Sequence, residues 1–124
     1  MSPLSLACQH LPGGSVIRVS GEVDASTSVQ FATLLLEAHP RPHEPLVLDL
    51  SAMTFMDSSG LTVLLNTRAS AEAAGGRLLL AAPHQRVRRV LEVTGLVRLF
   101  SPYEDLDEAI AAAGLRAEYE LLEG

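Results

Sequence analysis

A length of 124 residues suits one domain with a real core, and an apolar share of 48% sets the chain apart from disordered sequences. The formal charge is −6, every basic side chain is Arg, and no basic run is longer than Arg86-Val87-Arg88-Arg89, which argues against the basic face of a nucleic-acid binder. Aromatics at 4% leave the core to Leu, Val, Ile and Ala, and the single cysteine excludes an intrachain disulfide. No apolar run reaches the roughly 18 residues of a membrane span. Residues 1–10 lack the basic and apolar regions of a secretory signal, so the expected location is the cytoplasm.

Residues 4–10 read as a weak strand, paired across the Gly13-Gly14 turn with a second at 15–20. There Ile17 and Val19 face one way and Arg18 and Ser20 the other, while Val16 breaks the alternation. Gly21-Glu22-Val23-Asp24 leads into a helix that Asp24 or Ser26 would cap, with Phe31, Leu34, Leu35 and Ala38 at helical spacing. Pro40, Pro42 and Pro45 end it in a loop. Residues 46–50 (LVLDL) form a strand of the type buried on both faces. The stretch Phe55-Met56-Asp57-Ser58-Ser59-Gly60-Leu61 follows, and Leu61, Leu64 and Leu65 line a second helix ended by Gly75-Gly76.

Residues 77–82 (RLLLAA) predict another buried strand. Val87, Val90 and Leu91 mark a third helix that stops near Gly95, and residues 96–100 a short strand. Ser101-Pro102-Tyr103-Glu104 reads as a capping box with Pro at the first helical position. Leu106, Ala109, Ile110 and Ala113 continue that helix to Gly114, and residues 115–124 read as a helix or a frayed tail. Strands alternating with helices after an opening hairpin predict a single α/β domain over residues 1–124, a small mixed sheet with helices packed on it.

The chemistry lies in the Asp57–Gly60 turn. Its plainest role is structural, with Ser58 or Ser59 capping the following helix and Gly60 permitting close approach. A hydrolase nucleophile would need the Gly-x-Ser-x-Gly elbow, which this turn does not form, and none of His10, His39, His43 and His84 is spaced as its base. Asp57 as a phosphoacceptor of the receiver type would need a Lys and an acidic pair, and a Walker A loop also needs Lys; the chain has none. Metal binding has no Cys/His cluster behind it: Cys8 near His10 is one pair, and Cys8 reads as a buried small apolar side chain. What remains is a serine acceptor. A phosphate at a helix N-terminus meets the positive end of the dipole and free N–H groups, so the fold would tolerate it. A partner docked over the turn would not.

Four segments in order, Gly21-Glu22-Val23-Asp24, LVLDLSAMTFMDSSGLTVLL, Gly75-Gly76-Arg77-Leu78 and VRRVLEVTGL, give the chain a resemblance to the anti-sigma factor antagonists of the STAS domain family. The resemblance covers nearly the whole chain. It implies an α/β fold with a small mixed sheet and helices mainly on one side. It also implies a partner switch. The unphosphorylated antagonist binds an anti-sigma factor that is a serine kinase and so frees a sigma factor. Phosphorylation from ATP ends the interaction, and a metal-dependent serine phosphatase resets it.

By the same resemblance the acceptor is the hydroxyl residue directly after Asp57, which is Ser58, with Ser59 a cap or secondary acceptor. Asp24 is expected beside the acceptor, Thr27 takes the hydroxyl place at the preceding helix start, and Asp57 presents Ser58. The partner surface is then Asp24, Thr27, Asp57, Ser58, Ser59 and Gly60, with no catalytic residue, metal, cofactor, nucleic acid or membrane. The Pro-rich loop at 40–45 departs from the family pattern. A second reading is a STAS module that binds a ligand or nucleotide in signalling without a sigma factor.

Overall fold

The computed structural model describes residues 3–123. Strands β1 (Ser5–Leu11) and β2 (Gly14–Val23) form the predicted hairpin, followed by helix α1 (Ser28–Ala38), strand β3 (Leu46–Met56) and helix α2 (Ser58–Ala73). Strand β4 (Leu78–Ala81) and helices α3 (Gln85–Val93), α4 (Val97–Phe100), α5 (Leu106–Ala112) and α6 (Arg116–Glu123) complete the order. The strands lie in chain order, β1 antiparallel to β2 and the other neighbours parallel.

Both faces of this sheet are covered. On one, Ile17, Val19, Leu46, Leu48, Leu50 and Leu80 pack with Phe31 of α1, Leu64 of α2, Leu91 of α3 and Phe100 of α4. On the other, Val16, Val47, Leu79 and Ala81 pack with Ala109 and Ile110 of α5 and with Leu115 just before α6. Four helices therefore occupy one side and α5 with α6 the other. This explains Val16: β2 is central and carries apolar residues on both faces, as buried parallel strands do. Leu48 and Leu64 are fully buried, each stabilising the fold by about 1.5–3 kcal/mol.

Several local expectations are corrected. The third strand does not stop at Leu50 but runs to Met56, and so delivers Asp57 at the sheet's end. Residues 96–100 are not a strand: Phe100 N donates to Leu96 O at 3.0 Å and Ser101 N to Val97 O at 2.8 Å, the i to i−4 pattern of α4. A short apolar run carries no period that separates the two. Nor is Ser101-Pro102-Tyr103-Glu104 a helix start. Ser101 ends α4 in the left-handed region at φ 43°, and Tyr103 bridges to Ala81 beside β4. The α5 cap is Asp105, whose side chain accepts from Glu108 N at 2.8 Å. Two consecutive polar-x-x-Glu patterns, Ser101–Glu104 and Asp105–Glu108, compete here, and the second wins because Tyr103 is held in a bridge to Ala81. Cys8 is exposed on the edge strand β1 rather than buried. Residues 116–123 are helical.

Candidate functional site

Parallel pairing brings two polar turns together. Val23, the last residue of β2, is in register with Met56, the last of β3, and Asp57 N donates to Val23 O at 3.2 Å. Asp24 and Asp57 thus leave adjacent strands at the same end of the sheet, close enough that the charge on Asp24 opposes ionisation of Asp57. Gly21 lies within β2, shortly before Asp24. It sits at φ +104° beside a register shift in β2, with the Pro3 carbonyl where a side chain would begin.

In the β2–α1 turn, Asp24 Oδ1 accepts from Ser26 N at 2.8 Å and from Ser26 Oγ at 2.6 Å. These bonds, the Ser26 hydroxyl foremost, hold the Asp24 carboxyl below its ordinary range. Thr27 Oγ1 accepts from Asp24 N at 3.0 Å and donates to Glu22 O at 3.1 Å, so its hydroxyl locks the turn. Neither Asp24 nor Ser26 caps α1, as their spacing had suggested; Thr27 stands at the N-cap without a side-chain cap bond. Both side chains are engaged in their own turn instead.

In the β3–α2 turn, the N-cap is Asp57, not either serine: its side chain accepts from Ser59 N at 2.9 Å. The Ser59 hydroxyl donates to the same Asp57 oxygen. That hydroxyl is the main reason the Asp57 carboxyl lies below its ordinary range. Ser58 differs. Its side chain is exposed, and its hydroxyl has no hydrogen-bond partner among the described residues. Gly60 is buried, and a Cβ there would lie 2.6 Å from Met56 Cγ and 2.9 Å from Val23 Cγ1. Glycine lets the first turn of α2 seat on the ends of β2 and β3, and so fixes where Ser58 stands.

A groove at the end of β3 was not foreseen. Phe55, 39% exposed at the end of β3, borders a groove with Met56, Arg86, Arg89 and Val90. Arg88 pairs with Glu104 at 3.4 Å, whereas Arg86 and Arg89 have no ion pair among the described residues. The basic run at 86–89 was visible in the sequence, but its place against the end of β3 depends on α3 packing on that strand. Among the described residues no cluster of His, Cys, Asp or Glu could hold a metal ion, and no helix is long and apolar enough to cross a membrane. The arrangement presents an exposed hydroxyl directly after the Asp57 carboxylate at the start of α2.

The sequence profile of the STAS domain matches residues 5–109. An anti-sigma F factor antagonist of Paenibacillus polymyxa is 33% identical over 103 residues, 82% of this chain and 88% of that protein. The crystal structure of an anti-sigma factor antagonist from Mycobacterium paratuberculosis superposes with a TM-score of 0.73 at 30% identity, covering 90% of this chain and 94% of that one. The anti-sigma factor antagonist SpoIIAA in its unphosphorylated form gives a TM-score of 0.69 at 26% identity, covering 91% and 97%.

Proposed function

The chain belongs to the STAS domain family, and we propose that within it this protein is an anti-sigma factor antagonist switched by phosphorylation of Ser58. Unphosphorylated, it binds an anti-sigma factor that is a serine kinase, and a sigma factor is released. The kinase then transfers the terminal phosphoryl group of ATP. A bond forms between Ser58 Oγ and phosphorus, the bond to the ADP oxygen breaks, and the hydroxyl proton passes to a base on the kinase. A serine phosphatase reverses the modification. The protein is the substrate in this exchange and supplies no catalytic group. The place of action is the cytoplasm, where sigma factors meet the polymerase.

One observation carries the choice of acceptor: the Ser58 hydroxyl is exposed and unengaged, while the Ser59 hydroxyl is bound to Asp57. The relatives named as antagonists support the partner class. The electrostatics supports the direction of the switch. A phosphate adds about −1.5 to −2 charges at pH 7 beside Asp24 and Asp57, and the start of a 16-residue helix offsets this for the fold. A partner that covers the turn has no such compensation and must desolvate the whole charge. Ser58→Asp tests this: it should keep the wild-type circular dichroism melt but weaken pull-down of the anti-sigma factor. The loss will be smaller than for phosphate, because Asp carries less charge. Wild-type capture by this variant would count against the switch.

A further inference from the structure

The Pro-rich loop at 40–45 joins α1 to β3 at the opposite end of that strand from Asp57. Its backbone is packed on two sides. Ser15 N of β2 donates to Pro45 O at 3.1 Å, and a Cβ at Gly76, just past α2, would collide with Pro42 O. A third tie is a side chain. His39, the C-cap of α1, is buried, and its Nε2 lies 2.9 Å from Glu44 O. A carbonyl only accepts, so Nε2 carries the proton. Nδ1 of the same ring is buried and has no hydrogen-bond partner among the described residues.

The two nitrogens set a condition on the ring. Nε2 already holds the proton that the Glu44 bond uses, so a second proton can go only to Nδ1. There it would put a charged N–H donor in a buried position without an acceptor, which costs more than leaving a neutral group unpaired. Burial is the largest reason that the imidazole lies below its ordinary pKa. Of the groups around it, the Glu44 carbonyl and carboxylate favour the cation, and His10 of β1 and His43 of the loop oppose it. The Glu44 carboxylate is itself shared with Arg41 at 3.8 Å. The α2 side chains in the same region, Asn66, Thr67 and Ser70, carry no charge. We propose that His39 is a proton-sensitive latch on the 40–45 loop: neutral, it holds Glu44 O; protonated, it leaves its buried place and the loop comes free of α1. The latch does not depend on any role for Ser58. The sign follows from linkage. The unfolded ring takes up a proton before the folded one, so the stability that His39 contributes is complete above its ordinary 6.5 and is lost as pH falls from there toward the folded value.

The test follows the isotope-labelled full chain by NMR from about pH 8 to about pH 5, where histidines titrate and most carboxylates stay charged. The His39 ring shifts should move with a midpoint below 6.5. With that same midpoint the heteronuclear ¹⁵N NOE of Arg41, His43 and Glu44 should fall, the sign of a loop gaining fast motion. His39→Gln separates this ring from His10 and His43, because its amide can still donate to Glu44 O but takes no proton. In that variant the NOE values should stay level. Between about pH 7 and about pH 5.5 the folding equilibrium constant, from chemical denaturation, should drop several-fold more in wild type than in His39→Gln, against a ceiling of about tenfold per pH unit. The wild-type titration decides the matter even if the variant fails to fold. A ring that stays neutral throughout, a midpoint at or above 6.5, level NOE values while the ring becomes charged, or an equal loss with pH in wild type and His39→Gln would each overturn the proposal.

Discussion

Three Asp-x-Ser pairs share one geometry. In Asp24/Ser26, Asp49/Ser51 and Asp57/Ser59 the Asp Oδ1 accepts both the backbone N–H and the hydroxyl of the serine two residues on. The turn therefore captures the serine at the second position and leaves the one at the first position outside. In Asp57-Ser58-Ser59 this alone separates the two hydroxyls. Ser59→Ala should stay folded, lose about 0.5–1.5 kcal/mol with the hydrogen bond, and still accept phosphate. The same substitution should raise the Asp57 pKa toward its ordinary 3.8, as read by NMR titration, because the Ser59 hydroxyl is the largest cause of its depression. The sign follows from linkage. A depressed folded-state pKa contributes stability that is present above the unfolded value and is lost as pH falls through the folded one. The acid limb of the stability curve should accordingly be shallower in Ser59→Ala. For Asp24, Asn retains the acceptor oxygen that holds Ser26 and removes the charge. Asp24→Asn should melt like wild type but be phosphorylated more slowly, in time courses at matched concentration. An unchanged rate would leave Asp24 as a turn former only.

At the scale of elements, the strand and helix order was legible wherever a period or a breaker marked it: the hairpin across Gly13-Gly14, the proline stop after α1, and the Gly75-Gly76 end of α2. It failed where the signal was short or doubled. Residues 96–100 hold no complete period, and the competing caps at Ser101 and Asp105 differ only in what Tyr103 does against β4. The candidate site was legible as a motif, Asp-Ser-Ser-Gly, but its partner turn at Asp24 depends on the Val23–Met56 register, which no local pattern encodes. The Phe55 groove was unreadable for the same reason, since it is made by elements distant in sequence. Gly60 links element to site. Gly60→Ala gains up to about 1 kcal/mol of helix propensity, but its methyl meets Met56 and Val23, and overpacking costs about 1–3 kcal/mol. A net loss of stability in chemical denaturation is expected, together with slower phosphorylation as the first turn of α2 lifts. Stabilisation with an unchanged rate would mean that the close seat does not position Ser58.

Across the whole molecule, the apolar core and the proposed switch occupy different places. The two apolar layers, one under α1 to α4 and one under α5 and the start of α6, hold the sheet from both sides. The Asp57–Gly60 turn, which carries the proposed acceptor, lies at the sheet's end with Ser58 exposed. A charge added there has little packing to disturb, so its effect falls on whatever covers the turn. The chain is acidic overall at −6, and Arg86 and Arg89 line the groove at the end of β3 with Phe55 and Met56. The measurement that bears most directly on this account is intact mass spectrometry after incubation with the anti-sigma factor kinase and ATP, with fragmentation to locate the modification. The wild-type chain should carry one phosphate, mapped to Ser58, and Ser58→Ala should carry none while still capturing the kinase. Phosphate mapped to Ser59, or Ser58→Ala modified as fully as wild type, would contradict it.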